Sequence, residues 1–530
     1  MTPSLQSFID EYTRQIEPLL RERNAAYWKF STQGDAAAQA EYARLSTVIR
    51  QLHADRSRFE LLRSLSARPS GDALLDRQAQ LARNSFQAQQ MTPHLIEKIV
   101  ALETQVESEF NAFRAELNGE KVTDNQLKQL LRDSDDVVLR CAAWAASKQI
   151  GAQVADRILQ TVELRNQAAR KMGFDNYYAL SLQLQELDEV MLFDLFDRLE
   201  AVTRPLFVAY KADLDRQLAD RFHTSIDQLR PWHYADPFFQ DVPDGPDLNA
   251  DRYYAGQDMV ALAQQFYQTI GLPIDDIIAR SDLFERPGKY QHAYCLDIDR
   301  LGDTRVICNV QPNEQWMGTL LHEFGHAVYD KYHDRSLPFL LREPAHTLST
   351  EAIAMLMGRL SVSGDWLQRY LGLARDEVAK FEPQLRARLR ASLLIFTRWD
   401  LTVCHFEREL YRNPQRDLNT LWWDMVEKFQ LVKRPDNRHQ PDWAAKIHLG
   451  CYPAYYQNYM LGEMTASQLL EYIRHTVLNG QAEKFVESPA VGQYLIERVF
   501  KLGARYDWNG ALKAATGEEL KPEYFAQHLQ

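Results

Sequence analysis

A mainly α-helical fold is predicted by three features of the 530-residue chain. Apolar residues recur at three- and four-residue steps through most of its length, the period of a helix with one buried face. Only one segment carries a convincing strand signal. The composition, 45% hydrophobic and 25% charged, is that of an ordinary globular protein able to bury a large core.

The N-terminal pattern is Leu5, Phe8, Ile9, Tyr12, Ile16, Leu19 and Leu20, with Pro18 as a candidate kink. Tyr42, Leu45, Val48, Ile49 and Leu52 repeat it. The first ~115 residues therefore read as three long helices with charged outer faces. Helical patterns continue through 120–230 and 255–270. Between them, 235–251 (ADPFFQDVPDGPDLNAD) is rich in proline and reads as a loop and a boundary between two halves. In 291–310 (QHAYCLDIDRLGDTRVICNV), β-rich runs flank Leu301-Gly302-Asp303, which reads as a hairpin. Pro312 and Asn313 then mark a helix start, followed by the apolar stripe Trp316, Met317, Leu320, Leu321, Phe324 and Val328. Further helices are predicted over 347–360, 375–415 and 464–505. No internal repeat or low-complexity segment interrupts the chain.

Charge and cysteine content exclude several classes. The net charge is −12, with no block of lysine or arginine, which speaks against nucleic acid and anionic membranes as partners. No run reaches the ~18–20 apolar residues of a membrane helix, and residues 1–15 lack the pattern of a signal peptide. Five scattered cysteines, with no CxxC pair, suit reduced thiols, so a cytoplasmic location is expected. Oligomeric state is not readable.

The chemistry concentrates at 322–326, HEFGH. Inside a helix, His322 and His326 are four apart and share one face, so both imidazoles can reach one zinc ion. Glu323 projects beside them, placed to take a proton from water. A catalytic zinc wants three protein ligands and an open position. Glu351, in the helix predicted over 347–360, is the candidate third ligand. Taken alone, it reads equally well as a helix-start glutamate favoured by the macrodipole.

HEFGHAVYD, LPFLLREP and STEAIAMLMGRLS together resemble the angiotensin-converting-enzyme (peptidyl-dipeptidase A) family of gluzincin metallopeptidases. The opening FIDEYTRQIEPLLRERNAAYWKFST resembles that family's lid helices, and VELRNQAARKMGFDNYYAL a segment shared with related helical peptidases. The resemblance implies one domain over 1–530, a large helical ellipsoid with two halves around a deep channel. Residues 1–115 would be the lid helices, 291–360 the hairpin and zinc helices, and 440–465 the second wall. It implies one zinc ion with Glu351 as the third ligand, and short peptides as substrates. His292 and Ala293 would hydrogen-bond the substrate backbone along the hairpin edge.

In KIHLGCYPAYYQNY (446–459), which also resembles the thimet-oligopeptidase family, Lys446 would face the substrate's C-terminal carboxylate. His448 would bond the backbone near the scissile bond. Tyr456 and Tyr459 would form the family's tyrosine pair, Tyr459 donating to the oxyanion. A one-residue shift would implicate Tyr455 instead, and core packing is the alternative explanation for tyrosines at this spacing.

The chain departs from the family pattern at three places. Ala354-Met355 stands where the family has Gly-Asp, the aspartate that supports a zinc histidine. Asp236 stands where a glutamine binds the substrate carboxylate, an unfavourable exchange unless Asp236 pairs with Lys446. Asn458 replaces the arginine of chloride-activated members, so chloride-independent activity is expected. Peptidyl-dipeptidase action is the favoured expectation. Carboxypeptidase or oligoendopeptidase action, and a catalytically silent peptide- or metal-binding module, are the alternatives.

Overall fold

The computed structural model describes residues 4–243 and 250–529. Helices dominate, and the described strands form two two-stranded antiparallel hairpins. The chain divides into two compact units. The first comprises Met1–Gln90, Asn249–Leu385 and Leu461–Phe525; the second comprises Met91–Leu248, Arg386–Met460 and Ala526–Gln530. The chain first returns to the first unit at 248/249, inside the prolyl segment read as a boundary; its residues 244–249 lie outside the described residues.

The N-terminal region forms five helices rather than three: Leu5–Gln33, Ala36–Ala54, Arg56–Leu65, Ala73–Ala88 and Pro93–Ala112. The breaks follow local chemistry. Gly34 adopts a left-handed φ of 64° that closes the first helix, and the Asp35 carboxylate then caps the amides of Ala37 and Ala38. Asp55 caps the third helix and Asp72 the fourth. The first helix runs on through Pro18. Its apolar face, Phe8, Ile9, Tyr12 and Ile16, packs with Ile49, Leu62, Leu75 and Phe86, and with Phe339 and Leu340. These last two lie in the prolyl stretch before Glu351, so the N-terminal helices brace the segment that leads to it.

The first hairpin, β1 (Ala115–Leu117) with β2 (Glu120–Val122), was not expected. Its sequence signal is present: Asn118-Gly119, both with positive φ, is the two-residue turn that favours hairpins. The second hairpin pairs β3 (Tyr294–Asp297) with β4 (Thr304–Ile307), Tyr294 opposite Ile307. Its loop is longer than the expected three-residue turn. The Asp297 carboxylate accepts from the amides of Asp299 and Arg300 and shapes it.

Two helices of the first unit position the candidate metal ligands. The histidine helix, Glu314–Lys331, starts where predicted: Asn313 caps the amide of Trp316 at 2.8 Å. The glutamate helix is Thr347–Gly358. They cross at small residues. A Cβ on Gly325 would stand 2.9 Å from the Cα of Ala354, and one on Gly358 would stand 3.1 Å from the carbonyl oxygen of Gly318 and 3.3 Å from the Cβ of His322. Backbones this close leave no room for side chains between them.

In the second unit, Arg165 is a buried anchor. It donates to Glu103 at 2.6 Å, to the Tyr411 hydroxyl at 2.7 Å and to the Gly450 carbonyl at 2.9 Å. Asn166 beside it donates to the Tyr411 carbonyl and accepts from the Tyr177 amide. The segment VELRNQAARKMGFDNYYAL thus fixes the short helix Ile447–Cys451, which carries His448.

Gly325→Ala tests the helix crossing. Alanine is favoured over glycine in a helix interior by about 1 kcal/mol, whereas forced overpacking costs about 1–3 kcal/mol. Net destabilisation and a lower melting temperature are expected; unchanged or raised stability would show that the crossing has slack.

Candidate functional site

The two helices bring three donor groups together. His322 Nε2 and His326 Nε2 stand 3.2 Å apart, and the Glu351 carboxylate oxygen lies 3.7 Å from the first and 3.9 Å from the second. Ligands held ~2.0–2.1 Å from a tetrahedral zinc ion stand roughly 3.3 Å from one another. Among the described residues this is the one group of three such side chains whose donor atoms lie within 4.8 Å of one another. The donor set, two imidazoles and one carboxylate, is that of a catalytic zinc site with its fourth position open.

The electrostatics fit as well. Burial pushes His322 down to about 4 and His326 to about 3, the latter helped by His322, so both rings are neutral at pH 7 and have lone pairs to offer. The Glu323 carboxyl is pushed up to about 8, by burial first and by Glu351 second. Burial raises Glu351 too. One buried and one partly buried carboxyl beside two neutral imidazoles form a donor set that a divalent cation would complete.

Two of the three candidate ligands, His326 and Glu351, are held from behind. His326 Nδ1 lies 2.7 Å from the Thr350 hydroxyl oxygen. A Cβ on Gly462 would stand 3.4 Å from both the Cβ of Glu351 and the Sδ of Met355, so Gly462 closes against the glutamate helix. Met355, where the resemblance expects an aspartate, presents a thioether there. The hairpin adjoins: Cys295 and Cys308 both feel the Glu323 charge. Strand pairing begins at Tyr294, so the exposed His292 and the half-buried Ala293 form the lead-in to the strand rather than part of it. The His292 ring packs 5.3 Å from Tyr290.

The remaining expected residues gather in the second unit. The tyrosines do not share one helix. Ile447–Cys451 ends, Ala454 takes a left-handed φ of 51° with its amide on Glu407, and a new helix, Gln457–Tyr472, begins. The break brings the His448 ring 5.0 Å from Tyr456, and Tyr459 packs 5.6 Å from Tyr456 and 5.3 Å from Tyr455. Tyr456 is buried, its hydroxyl accepting from the indole N–H of Trp399 at 3.2 Å. Tyr459 is only half-buried.

Lys446 lies among the rings of Trp399, Phe238 and Tyr456, 5.1–5.7 Å from their centres. Burial lowers it to about 8. Asp236 is not its hydrogen-bonded partner. The buried Asp236 carboxylate accepts the amides of Phe238, Gln240 and Asp241 at 2.8–3.0 Å and so folds its own loop. That loop offers Gln240, whose side-chain oxygen accepts from Lys446 Nζ at 2.9 Å. Gln240 and Thr350 are the two residues that reading the sequence missed. Their partners lie 206 and 24 positions away in the chain, a distance no local pattern spans.

The model of Peptidase family M3 matches residues 130–530, which includes every candidate site residue above. The chain belongs to this family. The family model described as Angiotensin-converting enzyme matches residues 2–233 and so covers the N-terminal helices. Among curated proteins, this family M3 chain is 23% identical over 419 residues to "Angiotensin-converting enzyme" of Sus scrofa, covering 71% of the chain and 31% of the relative. It is 23% identical over 286 residues to the protein of that name from Haematobia irritans exigua, covering 50% and 46%. The chain thus spans less than half the length of these curated relatives.

Metal binding is directly measurable. After dialysis against zinc, elemental analysis is expected to give one equivalent per chain, and His322→Ala to abolish it. Zinc at 100 times its dissociation constant is expected to stabilise the fold by about 2.7 kcal/mol, seen as a raised melting temperature. An unchanged melting temperature with no bound zinc would rule the site out.

Proposed function

We propose that the protein is a zinc-dependent peptidase that hydrolyses short peptides, with peptidyl-dipeptidase action as the favoured specificity. The convergence of His322, His326 and Glu351, with Glu323 buried beside them, carries this reading. Membership of a peptidase family supports it.

Zinc, when bound, supplies a Lewis acid that polarises the scissile carbonyl and acidifies water. The chain does the rest. The Glu323 carboxylate accepts the proton of the attacking water and delivers it to the departing nitrogen. The burial of Glu323 limits competing water. On the resemblance, we assign Tyr459 to the oxyanion and His448 to the substrate backbone; the half-buried phenol and the ring contact with Tyr456 support this. The lead-in His292-Ala293 is assigned to backbone contact as well. We also place the protein in the cytoplasm, a reading that the five free thiols support.

For the substrate's C-terminal carboxylate, Lys446 with Gln240 is the recognition pair. A lysine and an amide provide one charged and one neutral donor, the chemistry a carboxylate needs. The nearby Asp236 charge, acting on Lys446, favours the second reading, an oligoendopeptidase that ignores the free terminus.

Glu323→Gln is expected to retain zinc and lose about 10²–10⁴-fold in turnover; near-normal rates in the metal-loaded variant would remove Glu323 from the mechanism. Specificity is tested by mass spectrometry on one decapeptide with a free and an amidated C-terminus, with and without chelator. Chelator-sensitive release of dipeptides from the free form alone is expected. Because Lys446 is charged only below about 8, KM for the free form is expected to rise as pH passes from 7 to 9. Equal internal cleavage of both forms would favour the oligoendopeptidase reading.

A further inference from the structure

We propose that Thr350 is a positioning residue for the metal, holding His326 so that its Nε2 lone pair faces the ion. The inference rests on the zinc reading above and concerns a residue outside the ligand set.

The Thr350 hydroxyl oxygen lies 2.7 Å from His326 Nδ1. A neutral imidazole carries one N–H and one lone pair, so whichever partner takes the Nδ1 proton leaves Nε2 as the donor. In the proposed tautomer Nδ1–H donates to the Thr350 hydroxyl oxygen, which has lone pairs to accept it. Nε2 is then the atom that points toward His322 Nε2 and Glu351. With the opposite tautomer, an Nε2–H would occupy the space where the three donors converge.

The arrangement is economical in sequence. Thr350 precedes Glu351, so a single turn of the glutamate helix supplies both a ligand and the group that orients another ligand. The close approach of Gly325 and Ala354 brings that turn to His326. In the resembling family an aspartate at the position of Met355 supports a zinc histidine; here that position carries a thioether, and the partner of His326 Nδ1 is a neutral hydroxyl on the other side of Glu351. A threonine inside a helix can turn its hydroxyl back to the carbonyl four residues before it. Here it reaches across to the neighbouring helix instead.

The test uses the full chain loaded with zinc. The dissociation constant is measured by competition with a chromophoric chelator for wild type, Thr350→Val and Thr350→Ser, with thermal unfolding of each metal-free protein as a check on folding. Valine keeps the branched shape and deletes the acceptor; it is expected to weaken zinc binding about 10–100-fold while the metal-free melting temperature stays near wild type. Serine is expected to restore most of the affinity. The visible spectrum of the cobalt-substituted protein, which reports ligand geometry, is expected to change in the valine variant and not in the serine one. Should the valine variant fail to fold, Thr350→Ala enters the same measurement. Wild-type affinity and an unaltered cobalt spectrum in the valine variant would overturn the role of Thr350 alone. A wild type that takes up no zinc would overturn the zinc reading with it.

Discussion

The candidate metal centre depends on two helices approaching backbone to backbone. Gly318 and Gly325 on one face Gly358 and Ala354 on the other, and a Cβ at Gly325 would fall 2.9 Å from the Cα of Ala354. Interiors packed at crystal density transmit such displacements with little loss. The distances to Glu351, 3.7 and 3.9 Å, follow from this contact, whereas the 3.2 Å between the imidazoles is set within one helix. The hydrogen bond from His326 to Thr350 is a second consequence of the same crossing.

Burial then gives the site its chemistry. Removing His322, His326, Glu323 and Glu351 from water disfavours every charged form, so the histidines stay neutral and the carboxyls hold their protons more tightly. A divalent cation reverses the balance for the carboxyls and uses the lone pairs of the histidines. The same physics works in the second unit. Lys446 is buried among aromatic rings and loses its proton more readily, yet it keeps one amide partner in Gln240. Asp236 is absorbed by three backbone amides, because a buried carboxylate in a prolyl loop finds its nearest donors in its own chain.

Much of the fold was legible because its signals are local. Asn313 caps the histidine helix where the pattern said, and the three- and four-residue periodicity marked the helices. The errors were local too. Asp35 and Asp55 divide helices that periodicity alone joins, since an aspartate that caps the next helix also ends the one before. Asn118-Gly119 carried a hairpin signal that the surrounding helical pattern masked. Ala454 separates the tyrosines onto different elements, and no residue type announces a left-handed alanine.

The sequence by itself determined which atoms can bind a metal. Two histidines four apart on a helix share a face whatever surrounds them, and Glu323 must lie beside them. It also determined, through small residues, that another helix could come close. Tertiary structure decided what no spacing encodes: that Glu351 turns toward the histidines rather than capping its own helix, that Thr350 rather than residue 355 holds His326, and that Gln240 rather than Asp236 meets Lys446. The physical reason is the same in each case. A side chain's role depends on which partner reaches it first in a packed interior, and that is fixed by the helix crossings and loop closures of the folded chain.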